Sequence, residues 1–291
     1  MRTIYLSVLA SATLLIACEK TVDADKLLDT EEKVSITSYI SPIDTILRVK
    51  VSKALPAIGT VLSNNDEEAN NELFLIKDAV VSITDSEGNT ADFSYSEQEE
   101  TYISDATNLP ILEGRQYVLN VVANGKTFSA TCTIPKRAPE IVEIIRIFNN
   151  DFGGVIAEID ITFEDILGER NFYILGGFTQ ETFDANTFES PLFFESDGLL
   201  SDSVEDGITL GETTRIYLGE QGDTQPQEVT LQVAHIDEIV YQNIQASNLN
   251  RDNDGNPFIE YSIAPNNIQG ESGVGIFAGY QVSEKTIVVE Q

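Results

Sequence analysis

Four residues near the start of the chain, Leu15-Ile16-Ala17-Cys18, carry its most specific chemistry. A small residue and then a cysteine, closing a short apolar run, is the pattern of a lipoprotein processing site. The Cys18 thiol accepts a diacylglyceryl group, and cleavage before it frees an amine for a further acyl chain. Arg2 supplies the positive start, and residues 4–17 are apolar apart from Tyr5 and small hydroxyls. Spanning a bilayer takes roughly 20 such residues, so the run fits a signal peptide over residues 1–17 better than a membrane helix. Each buried methylene contributes about 0.8 kcal/mol, and two or more acyl chains anchor a protein stably. The expectation is a lipid-anchored protein whose functional residue is Cys18.

A second stretch has metal-ligand spacing. In NRDNDGNPFIE, Asn250, Asp252, Asp254 and Asn256 place oxygen ligands at every second position, with Gly255 where a calcium loop turns sharply. The twelfth position of that register is Tyr261, where a bidentate glutamate belongs, and Glu260 falls one residue short. An Asx-rich solvated loop explains the stretch as well, so calcium is the one cofactor left open and only as a weak site.

Catalytic constellations are missing from the pattern. A nucleophilic site would need His235, the single histidine, beside Cys132 or a serine and oriented by a carboxylate. Cys132 sits on the apolar side of an alternating segment, as a buried structural thiol does. With 48 acidic residues some carboxylates must lie close together, so paired acids carry no signal for glycoside hydrolysis. No HExxH, CxxC, GxSxG or phosphate-binding glycine loop occurs. Tyr39, Tyr95, Tyr102 and Tyr241 could stack on a glycan in a chain without tryptophan, although strand packing explains them too.

The elements that must carry these residues are mainly strands. Formal charge is -31, which repels nucleic acid and anionic head groups and leaves anchoring to the lipid. Cys18 and Cys132 are the only cysteines, so the processed chain has no pair for a disulfide between body strands. Residues 18–33 read as an acidic flexible tether. Residues 34–135 read as an immunoglobulin-like or transthyretin-like β-sandwich. Leu47, Val49 and Val51 alternate inward, as do Ala79, Val81 and Ile83, then Ala91, Phe93 and Tyr95. Residues 63–72 read as a long solvated connection. Tyr117, Leu119 and Val121 lead into Asn124-Gly125, suited to a type I′ turn, and Phe128, Ala130, Cys132 and Ile134 return on the same face. Tyr117 itself has the setting of a tyrosine corner. Residues 136–140, bracketed by prolines, read as a linker.

Residues 141–291 read as a second β-rich domain with one short helix, making the whole all-β with two β-sandwich domains. Ala157, Ile159, Ile161 and Phe163 alternate; residues 171–178 and 229–233 form further strands; residues 180–207 read as an acidic surface excursion. Ile236, Ile239, Val240 and Ile244 are at helical spacing, with Asp237 and Glu238 in the first turn. GVGIFAGY and KTIVVE read as two closing strands.

Several stretches together resemble a known family: CEKTVD, AVVSITDSEGN, LEGRQYVLNV, FSATCTIP, ITFEDILGERNFYIL and NPFIEYSIAPNNIQGESGVGIFAGY. They are similar to a Bacteroidota outer-membrane lipoprotein family, the domain of unknown function 4249 family, over essentially the whole processed chain. This chain departs from that pattern by inserting Glu271-Ser272 before GVGIF. The resemblance implies an outer-membrane, surface-exposed lipoprotein of the kind encoded near TonB-dependent receptors. It transfers no catalytic residue, and Cys18 alone carries over. The resulting expectation is a non-enzymatic accessory subunit of a TonB-dependent nutrient-uptake transporter or similar membrane assembly. A surface module binding glycan or peptide directly is the alternative, and a hydrolase the remote one.

Overall fold

The computed structural model describes residues 32–55, 67–183, 186–202, 206–253, 259 and 262–291. Cys18 and the segment expected as a tether lie outside them, apart from its last two residues.

Seven strands build the first half: β1 (Lys33–Ile40), β2 (Ile46–Ala54), β3 (Val80–Asp85), β4 (Thr90–Ser96), β5 (Thr101–Asp105), β6 (Gln116–Ala123) and β7 (Lys126–Thr133). Their spatial order is β1-β2-β5-β4-β3-β6-β7. Period-two alternation turns Ile36, Leu47, Val49, Ile83, Tyr117, Leu119, Val121 and Phe128 into one core, each of them 0–1% exposed. The sheet curls on this core until Ser129 on β7 bridges to Gln269, on the segment that re-enters from the other half. Asn124 and Gly125 both have positive φ, 51° and 73°, the backbone a type I′ hairpin requires. The DSEGN turn is fastened by Asp85. Its carboxylate accepts from the Asn89 side chain and from the Glu87 and Asn89 amides, and pairs with Arg115 at 2.8 Å. These contacts, the Asn89 side chain foremost, hold its pKa down to about 2.

The connection expected over residues 63–72 overlaps an eight-residue helix, α1 (Glu67–Phe74). Its far end is fixed by a bridge between Leu75 and Ser52 and by Ile76, which is buried and donates its N–H to Val51 O. Polar composition hid it, because the helix is held at its exit rather than along an apolar face.

The second half is a sandwich. One sheet, in order β14-β13-β9-β8, comprises β8 (Val142–Asn149), β9 (Gly154–Glu164), β13 (Thr209–Glu220) and β14 (Asp223–Thr224). The facing sheet contains β10 (Phe172–Phe183), β11 (Asn186–Pro191), β12 (Leu199–Ser201), β15 (Gln227–Ile236) and β16 (Gly273–Val289). Val155, Ala157, Ile159, Ile161 and Phe163 of β9 meet Tyr173, Leu175, Val229, Leu231 and Val233 between them. The expected excursion over residues 180–207 holds β11 and β12, which both pair with β10. Helix α2 (Glu238–Asp252) covers the other side of the β10–β15–β16 sheet, burying Val240 with Phe172, Ile236, Ile276 and Ala278. The change of period at Ile236 anticipated this helix, which begins two residues later at Glu238 because Ile236 still closes β15.

Two readings need correction. GVGIFAGY and KTIVVE are not separate strands but one seventeen-residue strand, β16. Its first part, Gly273–Gly279, runs parallel to β1, and its remainder, Tyr280–Val289, runs antiparallel to β15. The halves are therefore joined by more than residues 136–140. Ile268 and Phe277 belong to the first core, across the expected boundary, while Val289 belongs to the second. Gly275 makes this seam with φ of +126°; a Cβ there would stand 2.0 Å from Ile36 O. Glu271-Ser272 forms the turn into β16, with Ser272 at φ 64° and its carbonyl accepting Val34 N–H at 2.9 Å.

Candidate functional site

Most of the residues singled out from sequence prove to be packing or hydrogen-bonding devices. Cys132 is 4% exposed, and burial pushes its thiol well above the usual range, away from nucleophilic reactivity. His235 is buried, its Nδ1 lies 2.8 Å from Arg137 O, and burial lowers its pKa. Its ring lies against Tyr173, centroids 5.1 Å apart, and among the described residues neither a serine nor Cys132 is bonded to it. Tyr102 accepts Ala79 N–H and donates to Ile76 O, with Tyr95 edge-on against it at 5.3 Å. Tyr241 packs on Phe172, and Tyr39 alone of the four is exposed. Asn250 and Asp252 lie in the last turn of α2, where residues two apart diverge by roughly 200° about the axis. The Asn250 amide is engaged on both sides by the Ser262 backbone, at 2.7 and 2.9 Å. Asp254 and Asn256 lie outside the described residues.

The Tyr117 corner is built as its setting suggests: the phenol accepts Leu112 N–H at 2.8 Å and donates to Pro110 O at 2.9 Å. The second half repeats the device. Tyr173 accepts Ile166 N–H at 3.2 Å and donates to Asp165 Oδ1 at 2.6 Å, and burial together with that carboxylate raises its pKa far above 10. Asn171, 1% exposed, closes the same loop by donating to Ile166 O and Glu169 O. EDILGERNFY is thus a strand–turn–strand lock.

That lock assembles a carboxylate cluster. Asp165, Asp202 and Asp206 bring one oxygen each to within 4.8 Å of one another, the first two buried and the third exposed. Oxygen-only donors of this kind suit a hard cation such as calcium. The three carboxylates also accept backbone N–H groups: Gly207 to Asp165 at 2.9 Å, Asn171 to Asp202 at 3.0 Å, Gly168 to Asp206 at 3.1 Å. The cluster therefore pins three turns together. Asp165 stands in a motif visible in the sequence. Asp202 and Asp206 come from an acid-rich stretch where nothing local marks them.

A groove with a volume of about 760 Å³ runs along β13. One wall is the chain after β11: Phe194 is half-buried against the second core, whereas Phe193 projects outward at 82% exposure. Thr214 Oγ1 donates to Phe193 O at 2.9 Å and the Ser196 hydroxyl donates to Glu212, fastening this wall to β13. The other wall carries Thr213, Arg215 and Glu158. Glu158 is held below the usual carboxylate range by hydrogen bonds from Arg215 and Arg146, whereas Glu212 is raised by burial. The groove thus combines a bare aromatic face with carboxylates, hydroxyls and a guanidinium. Sequence reading missed it because its walls come from residues 158, 193–196 and 212–215.

No curated protein matches the chain. Among solved structures, a biofilm-associated protein's BSP domain is similar over 88% of this chain at 8% identity and a TM-score of 0.16; the match spans 58% of that structure's length. A family model described as a domain of unknown function, DUF4249, matches residues 19–286, and the chain belongs to that family.

Proposed function

We propose that this is a non-enzymatic lipoprotein, tethered through acylated Cys18 to the outer membrane and displayed at the cell surface. There it serves as an accessory subunit of a TonB-dependent nutrient transporter or a similar membrane assembly. The observation that carries this reading is the Leu-Ile-Ala-Cys18 processing site directly before a body that the family model matches from residue 19 onward. Such a body needs only a lipid graft to stay beside a membrane, since none of its described helices is long and apolar enough to cross one. Affinity isolation of the native, acylated chain from detergent-solubilised membranes tests the proposal. A stoichiometric outer-membrane transporter is the expected companion; recovery of the lipoprotein alone refutes it.

A second reading, direct capture of a hydroxyl-rich nutrient such as a glycan, is favoured by the groove along β13. An exposed Phe193 beside Arg215, Glu158 and Glu212 offers a stacking face with donors and acceptors around it. Calorimetry of the full chain against a panel of neutral oligosaccharides separates the two. Binding lost on Phe193→Ala with the fold intact supports capture; no heat from any member removes it.

A further inference from the structure

The outer edge of the second sandwich breaks a rule that folded β proteins keep. β8 pairs with β9 on one side only, and among the described residues no strand lies on the other. Its eight residues, VEIIRIFN, leave Val142, Ile144, Ile145, Ile147 and Phe148 between 37% and 56% exposed. Native edges are normally guarded by proline, lysine or a bulge. β8 has no proline and no lysine, and its register with β9 runs unbroken from Val142 to Asn149. Its one cation, Arg146, is folded down onto Glu158 and Asp160 at 2.9 and 2.6 Å, and Glu143 pairs with Lys285. The edge is unbroken, apolar and self-neutralised in a chain of formal charge -31.

Resting on the accessory-subunit reading, we infer that β8 is a docking edge for an extended segment of the partner protein. That segment would be apolar at alternate positions and carry lysine or arginine at both ends. Alternation follows from the pleat. On the face shared with the second core an added strand would lie against Ile145 and Ile147. On the outer face it would meet Arg146 and its acidic partners between Ile144 and Phe148, so it is the core-side positions, every second residue, that must be apolar. The cationic ends follow from charge: exposed Glu140 precedes β8 and exposed Asp151 follows it, neither in an ion pair among the described residues. A second copy fits worse. In an antiparallel self-pair centred on Ile145, Glu140 of one chain lies beside Asn150 and Asp151 of the other, adding like-charge contact to the net repulsion.

The test uses the full chain and two synthetic ten-residue peptides, Lys-(Val-Thr)4-Lys and its counterpart with glutamate at both ends. Hydrogen exchange is followed at residues 142–149, with sedimentation of the chain alone alongside. The lysine-ended peptide is expected to slow exchange there roughly tenfold while the glutamate-ended one does not. Ile144→Lys is expected to abolish the slowing at unchanged urea midpoint, since Ile144 is exposed. Unchanged exchange at β8 overturns the inference, as does equal slowing by both peptides. A dimeric chain with β8 already protected overturns it in favour of a second copy. None of these outcomes depends on what co-purifies from membranes, so failure of the docking edge and failure of the accessory-subunit reading are told apart.

Discussion

Replacing Asp237 by asparagine should stabilise the protein at neutral pH and leave it unchanged in mild acid. Asp237 stands at the junction of β15 and α2, immediately before the first helical residue. Its side chain does not cap the helix but turns to β16, where Oδ2 accepts Gly279 N–H at 2.9 Å. Among the described residues no cation pairs with it. Burial raises its pKa to about 6, opposed by the Gly279 hydrogen bond. The unfolded value is about 3.9, and each unit corresponds to about 1.4 kcal/mol, so ionising the folded carboxyl costs about 3 kcal/mol. The attraction of a carboxylate to the helix N-terminus, roughly 0.3–1 kcal/mol, reduces the net effect to about 2 kcal/mol.

The sign follows from proton counting. Below pH 4 the group is protonated in both states and contributes nothing. Between pH 4 and 6 the unfolded chain releases its proton while the folded one retains it, so stability falls as pH rises. Above 6 both are ionised and the loss is constant. An asparagine side chain in its place would keep an acceptor for Gly279 N–H and have nothing to ionise. Urea midpoints of both proteins, measured from pH 4 to 7.5 and converted with a common slope, should coincide near pH 4 and diverge by about 2 kcal/mol at pH 7 in favour of Asp237→Asn. Titrations elsewhere cancel in the difference. A difference flat across that range, or one favouring the wild type at pH 7, refutes the reasoning.

The two tyrosine corners should respond in kind. Tyr117→Phe leaves Leu112 N–H and Pro110 O without partners and should cost about 1–3 kcal/mol by urea denaturation. Tyr173→Phe should cost more, because Asp165 Oδ1 also loses its donor beside Asp202 and Asp206. Gly275→Ala should open the seam between the halves, since its Cβ would meet Ile36 O; calorimetry should show one transition for the wild type and two for the variant, and limited proteolysis should cut near β16. Cys132 should be inert to thiol reagents in the native protein at pH 8 and react fully in urea, because burial keeps the thiol protonated.

What could be read from the chain was what neighbouring residues decide. The alternation of Tyr117, Leu119 and Val121, the Asn124-Gly125 turn and the Tyr117 corner involve residues within about twenty positions of one another, and each is present. So is α2, whose apolar spacing differs visibly from the strands around it. Long-range pairing left no local trace. Gln281, Ser283 and Glu284 look like a break between two strands, yet β15 pairs with β16 straight through them. The groove and the aspartate cluster draw on residues about sixty and about forty positions apart, in a chain too acidic for any one carboxylate to stand out.

The strand that sequence reading divided also sets how the molecule bears load. Residue 32, where the described chain begins, leads directly into β1, which is paired with β2 over Lys33–Thr37 on one side and with β16 over Val34–Ile40 on the other. A pull arriving from the N-terminal side acts along β1 and must shear both ladders together rather than peel one open a bond at a time. β16 then passes the strain into three packing clusters: Phe277 in the first core, Ile276 and Ala278 beneath α2, and Val289 in the second. Two bodies joined only by residues 136–140 would swing about that linker. Joined by β16, they transmit force as a unit, so a partner gripping the second sandwich at β8 would be mechanically coupled to whatever holds the chain ahead of β1.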